Sequence, residues 1–442
     1  MRVAFRRPLT AAAALATLAL GACVDDDQSI VETQTPANGG ALFQRYVSLG
    51  NSITAGFQSG GLTAIMQDSS YPRLLATRAS VQGFGQPLIA GAGCPQPMTA
   101  PLTPAPTPPP GSPCGRIDTS ALTQNLAVPG VRIADLFVTP SNPLNPAQRL
   151  YGLLTGGRSQ VNAMIAADPT FVSVWIGNND ALSAALGGVL GPTAAGADSN
   201  LTRLSVFQTS LNALVDSIKR AGPQGALLVG VVDAVLAAPL IQPGAYFYIA
   251  RDAATGRFQG KTVNANCSPV NNLGQPNPLA ANMVSFQMVA DNNFPEINCD
   301  PAAYPVGDPR RGAHLLDTSE QLVVRTRVGQ YNAAIQAAAN ANGWAYADPN
   351  AILGPLLIQK NAQGRYQNVR KCQDLATATT AAQFQAAVLN SCPVTGATAA
   401  PGFFGTLISF DGVHPSTAAH KILATEFARI INTKYGTQIA LS

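Results

Sequence analysis

The sequence predicts an α/β fold built around a mostly parallel sheet. Two near-continuous apolar runs, 171–176 and 226–232, have the composition of strands that are buried on both faces. Between them, residues 204–221 show the apolar period of an amphipathic helix, which Gly222 and Pro223 end. Strands alternate with helices in parallel sheets because each helix returns the chain across a face of the sheet.

The first strand–helix unit carries a serine at its turn. Residues 46–49 alternate as a short strand does, Gly50 and Asn51 break the strand, and Ser52 follows before helix-like sequence. Ligands of parallel sheets bind outside the carboxyl ends of the strands, so Ser52 is expected to face a substrate. By itself, Gly-Asn-Ser is also ordinary turn sequence.

The remaining regular elements follow in chain order. The spacing predicts a helix over 71–78, a short strand over 86–90, a helical stretch through Ile133 and Leu136, a long helix over 319–341, a strand over 344–347 and a final helix from 415 or 416 to 432. With the runs at 46–49, 171–176 and 226–232, the predicted strands number five.

Three segments lack this periodicity and are predicted to be insertions in a single domain that covers 41–442. They lie near 91–118, which holds a proline tract, near 239–318, and near 352–405. Each is too long for a simple connection between elements. We expect the insertion near 239–318 to carry substrate specificity.

The amino-terminal residues 1–22 read as an export signal, with a basic start and an apolar run over 9–20 that is too short to span a bilayer. The sequence Leu20-Gly21-Ala22-Cys23 resembles the bacterial lipobox, which implies cleavage before Cys23 and its acylation. Residues 23–40 then form a polar tether. The alternative is a plain secretory signal that contains a cysteine. A lipoprotein of the cell envelope is the expected location, and Val24, rather than aspartate, after the cysteine favours the outer membrane.

The balance of basic and acidic residues argues against a nucleic-acid partner. Three of the 27 basic residues lie in the export signal, which leaves 24 against 23 acidic residues. This balance gives no reason to expect a nucleic-acid partner. The expected partners are an ester substrate and, through Cys23, a membrane.

Six cysteines follow Cys23, an even count that indicates disulfides in an exported protein. They fall into three local pairs, so sequential pairing is predicted: Cys94 with Cys114, Cys267 with Cys299, and Cys372 with Cys392. A metal site is the alternative. It is disfavoured because the sequence has no Cys-x-x-Cys motif, and the three histidines are not paired with the cysteines at ligand spacing.

Candidates exist for each group that an acyl-transfer site requires. Ser52 is the candidate nucleophile, and His414 is the base. Asp411 lies three residues before His414 and can orient it. The side-chain amide of Asn179 and the backbone N–H groups of Ser52 and Gly130 are candidate oxyanion donors. Structural alternatives are open for these motifs. Residues 178–180 could turn the chain or cap a helix, and Asp411 could be an N-cap beside a surface imidazole at His414.

The four motifs resemble those of the SGNH, or GDSL-type, hydrolase superfamily and stand in the family's order. Gly50-Asn51-Ser52-Ile53 matches its Gly-Asp-Ser-Leu block, 125–130 its glycine block, 177–180 its asparagine block, and 411–414 its terminal block. The resemblance implies a three-layer α/β/α, flavodoxin-like fold with a five-stranded parallel sheet. It also implies ester hydrolysis through an acyl-enzyme, without a metal or organic cofactor.

Asn51 departs from the family pattern, which has aspartate there and leucine at the position of Ile53. Because neither position belongs to the triad, the change bears on hydrogen bonding in the turn and not on the mechanism. A carbohydrate-ester deacetylase or an acyltransferase would use the same residues. A non-catalytic binding lipoprotein would be expected to have lost a triad residue. The α/β-hydrolase family is excluded because Ser52 lacks the Gly-x-Ser-x-Gly elbow.

Overall fold

The structure is a computed structural model that describes residues 39–103, 106, 114–119, 123–142, 145–191, 200–251, 258, 260–393 and 402–442. The predicted export signal, Cys23 and the tether up to residue 38 lie outside the described residues, as does most of the proline tract. Within the described part, the helices are all too short or too polar to cross a membrane.

The described residues form nine strands, fourteen α-helices and five short 3₁₀ helices, one of which is the predicted helical stretch at Ile133–Phe137. The strands are β1 (Tyr46–Gly50), β2 (Phe171–Trp175), β3 (Gly225–Val229), β4 (Ile241–Pro243), β5 (Thr262–Val263), β6 (Met283–Ser285), β7 (Glu296–Ile297), β8 (Leu315–Leu316) and β9 (Ala345–Ala347). The helices are α1 (Ser52–Ala55), α2 (Ala64–Asp68), α3 (Tyr71–Arg78), α4 (Pro146–Thr155), α5 (Gln160–Ala166), α6 (Asn178–Gly187), α7 (Leu204–Ala221), α8 (Ala234–Ala237), α9 (Gly244–Ala250), α10 (Phe286–Ala290), α11 (Thr318–Ala341), α12 (Pro349–Leu357), α13 (Ala381–Ser391) and α14 (Thr417–Tyr435).

The main sheet has four parallel strands in the order β1-β2-β3-β9. The expectation of five strands is therefore wrong for this chain. The strand predicted over 86–90 does not form, and Ile89 makes only an isolated antiparallel bridge with Arg116. Gly50, Trp175, Val229 and Ala347 lie in register, so the four carboxyl ends meet at one edge of the sheet.

An irregular segment takes the place of a fifth strand beside β1. The N–H groups of Ser48, Leu126 and Val128 donate to Gln124, Ser48 and Gly50 respectively, over 2.8 to 3.1 Å. Pairing beyond this point is blocked because Pro129 has no N–H and a turn follows at Gly130, whose φ is +83°. Counted with this segment, the chain order across the sheet is that of a flavodoxin-like fold, with β1 at the switch point.

Helices cover both faces of the sheet, which gives three layers. On one face, α3 and α14 pack over side chains such as Phe171 and Trp175. On the other face, α5, α7 and α11 bury Val172 and Val174 together with the apolar side of α7. Successive strand residues point to opposite faces, so β2 supplies both layers and is buried throughout.

The insertions near 239–318 and 352–405 are more ordered than the sequence indicates. The first contains the antiparallel sheet β4-β6-β8 and the pair β5-β7, and the two insertions share an aromatic-rich core with Phe247, Phe286 and Phe404. Strands of two or three residues are too short to show a period of apolar residues, so the sequence does not predict them. The three disulfides are Cys94–Cys114, Cys267–Cys299 and Cys372–Cys392, the pairing that the sequence predicts.

Candidate active site

Ser52 lies directly beyond the carboxyl end of β1, as the first residue of α1. Asn51 is the N-cap, and its Oδ1 accepts the N–H of Ile53 at 3.2 Å, a cap that an aspartate can also provide. The N–H of Ser52 is one of the first-turn donors that a helix leaves without an internal acceptor.

A buried glutamine fixes the strand end that carries Ser52. The Oε1 of Gln160 accepts the N–H of Gly50 at 3.0 Å, and its Nε2 donates to the carbonyl of Gly50 at 2.9 Å. Gln160 is fully buried. It satisfies both backbone groups at the point where β1 leaves the sheet, and nothing in the local sequence around it predicts this.

Ser52, His414 and Asp411 form one hydrogen-bonded chain. His414 Nε2 lies 2.9 Å from Ser52 Oγ, and His414 Nδ1 lies 2.9 Å from Asp411 Oδ2. A neutral imidazole with its proton on Nδ1 donates to Asp411 and accepts the serine hydroxyl at Nε2. The ring of Phe57 packs against the imidazole at 4.9 Å between centroids.

The surroundings of Asp411 keep its carboxylate ionised. Burial alone would raise its pKa, but the charge of His414 and hydrogen bonds from His414 and Val413 outweigh this and lower the pKa of Asp411 to about 2. Its Oδ1 accepts the N–H groups of Val413 and His414 at 2.9 and 2.8 Å. The negative charge is therefore available to orient an imidazole and to stabilise an imidazolium.

The loop that follows α1 holds the loop that carries Asp411. The N–H of Gly60 donates to Asp411 Oδ2 at 2.7 Å. Ser59 N–H donates to Ser409 Oγ at 2.8 Å, and Phe410 N–H donates to Ser59 Oγ at 3.2 Å. Sequence reasoning missed these contacts because the partners lie about 350 positions apart.

Asn179 is the second residue of α6 and lines a pocket together with Ser52 and His414. Its Nδ2 donates one hydrogen bond to the carbonyl of Val131 at 2.8 Å, which leaves the second amide hydrogen for another acceptor. Gly130 lies in the exposed turn just before Val131 and is not one of the residues that line the pocket. The structure thus brings Asn179 to the serine, and links it to the segment that contains Gly130.

Asp180, which is buried in the core, connects the start of α6 to the segment that follows Gly130. It is fully buried, and its Oδ2 accepts the N–H of Ile133 at 3.0 Å. Burial raises the pKa of Asp180 to about 6, against the lowering effect of that hydrogen bond. The aspartate of the asparagine block therefore positions the helix start and the turn at Gly130 relative to each other.

The pocket beside Ser52 is mainly apolar and is partly open to solvent. Beyond Ser52, Asn178, Asn179 and His414, its walls are apolar or aromatic side chains. These are Ile53, Trp175, Leu182, Val232, Ala234, Ala237, Ala238, Leu353, Leu356, Leu357, Val369, Leu407, Ile408, Val413, Pro415, Ala419 and Leu423. Such a surface binds hydrocarbon better than sugar hydroxyls.

Residues 46–427 match the family model of the GDSL-like lipase/acylhydrolase family, which covers most of the chain. The chain belongs to this family. The resemblance noted in the sequence is thus confirmed, and the protein is a serine ester hydrolase. Searches of curated proteins return no match. Among solved structures, a catalytic mutant of Axe2, an acetylxylan esterase from Geobacillus stearothermophilus, matches at 14% identity and a TM-score of 0.34. The match covers 90% of this chain and 97% of that one.

The other two histidines of this GDSL-family hydrolase do not line the pocket beside Ser52. His420 is fully buried in α14, where its Nδ1 accepts the N–H of Tyr71 at 3.3 Å. Burial and the charge of His414 lower the pKa of His420 to about 3, so it stays neutral. His314 lies in the first insertion, with its Nε2 3.2 Å from Asp291 Oδ2.

Within the described part of the hydrolase, no cluster of three or more histidine, cysteine, aspartate or glutamate side chains could hold a metal ion. The described cysteines are all in disulfides. From the second large insertion, Leu353, Leu356, Leu357 and Val369 line the pocket. No described residue of the insertion near 239–318 lines it, so the role of that insertion in substrate specificity stays a prediction.

Proposed function

We propose that this hydrolase cleaves carboxylic esters with an apolar acyl group, through an acyl-enzyme on Ser52. The observation that carries the proposal is the apolar pocket that opens onto the hydrogen-bonded Ser52–His414–Asp411 chain. An acyl chain of several carbons gains free energy from burial in such a pocket, at about 0.8 kcal/mol per methylene.

In the proposed mechanism, His414 Nε2 takes the proton of Ser52 as Oγ attacks the ester carbonyl. The Asn179 amide and the N–H groups of Ser52 and Gly130 donate to the oxyanion that develops. His414 then returns the proton to the leaving alcohol. Water, activated by the same imidazole, attacks the acyl-enzyme and releases the acid, so each proton is passed through His414.

Hydrolysis of p-nitrophenyl acetate, butyrate, hexanoate and octanoate by the purified protein tests the substrate class. We expect kcat/KM to rise about fourfold per added methylene until the pocket is filled. Ser52→Ala should lose both turnover and labelling by a fluorophosphonate probe. If kcat/KM were highest for the acetate ester, the result would instead indicate a deacetylase of carbohydrate esters.

An acyltransferase would form the same acyl-enzyme and differ only in the acceptor. Adding glycerol during octanoate turnover and measuring the products separates the two outcomes. We expect free octanoate as the main product, because the described lining offers few polar groups near Ser52 that could bind a polar acceptor in place of water. Octanoyl glycerol as the main product would identify a transferase.

A further inference from the structure

The pocket is closed by two parts of the chain that lie outside the main sheet. One side consists of Ala234, Ala237 and Ala238, in and after α8. The facing side comes from the second insertion and the residues that follow it, with Leu357, Val369 and Leu407 as examples. Because no strand pairing joins these parts among the described residues, we expect the width of the pocket to depend on the contacts between them.

Lys371 makes the first of these contacts. It is buried, and its Nζ donates to the carbonyl of Ala238 at 2.9 Å and to that of Ile241. Burial lowers its pKa well below the usual value, against the opposing effect of the Asp233 charge. A buried amine is costly unless it is hydrogen-bonded, and the two carbonyls supply those bonds. Here it joins Val369, two residues away, to the wall at Ala238.

Gln242 makes the second contact from the opposite side. It is fully buried, and its Nε2 donates to the carbonyls of Pro239 at 2.8 Å and of Arg370 at 3.0 Å. Its Oε1 has no partner among the described residues. Like Lys371, the amide therefore links 238–242 to 370–371, and neither side chain lines the pocket.

Further hydrogen bonds carry this link into the facing wall. Gln373 Nε2 donates to the carbonyls of Leu357 at 3.0 Å and Val369 at 2.9 Å. The N–H of Leu407 donates to Asn368 at 3.0 Å, and that of Arg370 donates to Phe404 at 2.9 Å. The apolar residues of this wall are thus bound to one another, and the wall as a whole is bound to 238–242 through Lys371 and Gln242.

We infer that Lys371 and Gln242 form a clamp that sets the width of the acyl pocket, and that through it the second insertion determines the preference for long acyl chains. The inference rests on the proposed function. Both are positioning residues, since they act on substrate only through the walls they hold. Loss of the clamp should weaken binding of a long chain and leave the reaction of a short one nearly unchanged, because Ser52 and His414 are held by other contacts.

The clamp can be broken with variants that keep the volume of the side chains. Lys371→Met removes a buried amine along with its two hydrogen bonds, so the stability lost with the bonds is partly offset by the removal of a buried polar group. Gln242→Leu removes an oxygen that has no partner along with the two bonds of Nε2. Ser391→Ala is the matched control: Ser391 is fully buried in the second insertion and bonds only within it, to Ala387 and Asp374.

The measurement is kcat/KM for p-nitrophenyl octanoate and acetate, with thermal unfolding recorded on the same preparations. We expect each clamp variant to lower the octanoate-to-acetate ratio about tenfold, the equivalent of about two buried methylene groups. The acetate value should change less than threefold, and Ser391→Ala should keep the wild-type ratio. Gln242→Leu serves as the deciding variant if Lys371→Met does not fold.

An unchanged ratio in Gln242→Leu, or equal losses for both esters, would overturn the inference, since a purely structural role moves both rates together. Failure of the proposed function would look different. A wild-type protein without any preference for octanoate would contradict the substrate class itself before any variant is compared.

Discussion

At the scale of single residues, the Nδ2 of Asn179 carries two hydrogens, and each can donate to a different acceptor. One hydrogen is used by the carbonyl of Val131, which fixes the plane of the amide. The other is the proposed oxyanion donor. An amide fixed in this way loses little freedom when the charge develops, which is the condition under which such a donor is most effective.

Asn179→Ala should lower kcat by about 10²–10³ with little change in KM, because the lost bond is made chiefly to the charged oxygen. Loss of the bond to Val131 should also cost about 1 kcal/mol of stability. Asn178→Ala is the control. Asn178 lines the same pocket and accepts the N–H of Val232 at 3.0 Å, so it should lose similar stability but keep most of its kcat. A normal kcat for Asn179→Ala would remove it from the site.

The lowered pKa of Asp411 makes the free energy of unfolding depend on pH. Its pKa is about 2 in the folded protein and near 3.8 when unfolded, so its contribution is fully present above the unfolded value and is lost as pH falls through about 2. We expect Asp411→Asn to be about 2 kcal/mol less stable than wild type at pH 6. The difference should shrink between pH 4 and pH 2, as measured by urea unfolding. A constant difference over that range would contradict the lowered pKa.

At the scale of elements, the site depends on the contact between the loops 57–61 and 409–414. The loop after α1 carries the donors Ser59 N–H and Gly60 N–H, and the other loop carries the acceptors Ser409 and Asp411. The nucleophile and the acid–base pair are thus attached to each other directly as well as through the sheet. Any loosening of this contact changes the Ser52–His414 distance.

Ser409→Ala tests this contact, since it removes the acceptor for Ser59 N–H at a buried position. We expect kcat to fall about tenfold with KM nearly unchanged, and stability to fall by about 1 kcal/mol. Ser285→Ala is matched in burial and also removes a side-chain acceptor of a backbone N–H, that of Gln287, at the N-cap of α10 in the first insertion. Equal kcat losses in both variants would mean that the effect of Ser409 is general destabilisation.

At the scale of the whole molecule, the elements that sequence predicts well are those defined by local signals. Helix α7 has the predicted bounds, because its apolar period and the glycine after it are both local. No strand pattern predicts that the segment at 124–128 forms the sheet edge, because three separate hydrogen bonds hold it there. Likewise, Ser52 and His414 stand in motifs, whereas Gln160, Ser409 and Lys371 act through distant partners and have no local signature.

The predicted lipobox concerns how this catalytic domain is placed in the cell. If the chain is cleaved before Cys23 and this cysteine is acylated, the mature protein carries acyl chains on the predicted polar tether of 18 residues, 23–40, ahead of the catalytic domain. The domain would then stay near a lipid surface while its pocket remains free to turn. Two or more acyl chains on one residue suffice for stable anchoring without a membrane-spanning helix.

Cys23→Ser should therefore shift the protein from the membrane fraction to the soluble fraction, or leave it as an uncleaved precursor that is larger by the signal sequence. Detergent partitioning, with mass spectrometry of the amino-terminal peptide, reads out both results. The hydrolysis of p-nitrophenyl butyrate serves as the internal control, because Cys23 precedes the domain and its change should leave kcat/KM of the folded protein unaltered. A Cys23→Ser variant that is cleaved and still fractionates with membranes would show that the attachment does not depend on acylation of this cysteine, and a wild-type peptide that begins elsewhere would exclude the lipobox altogether.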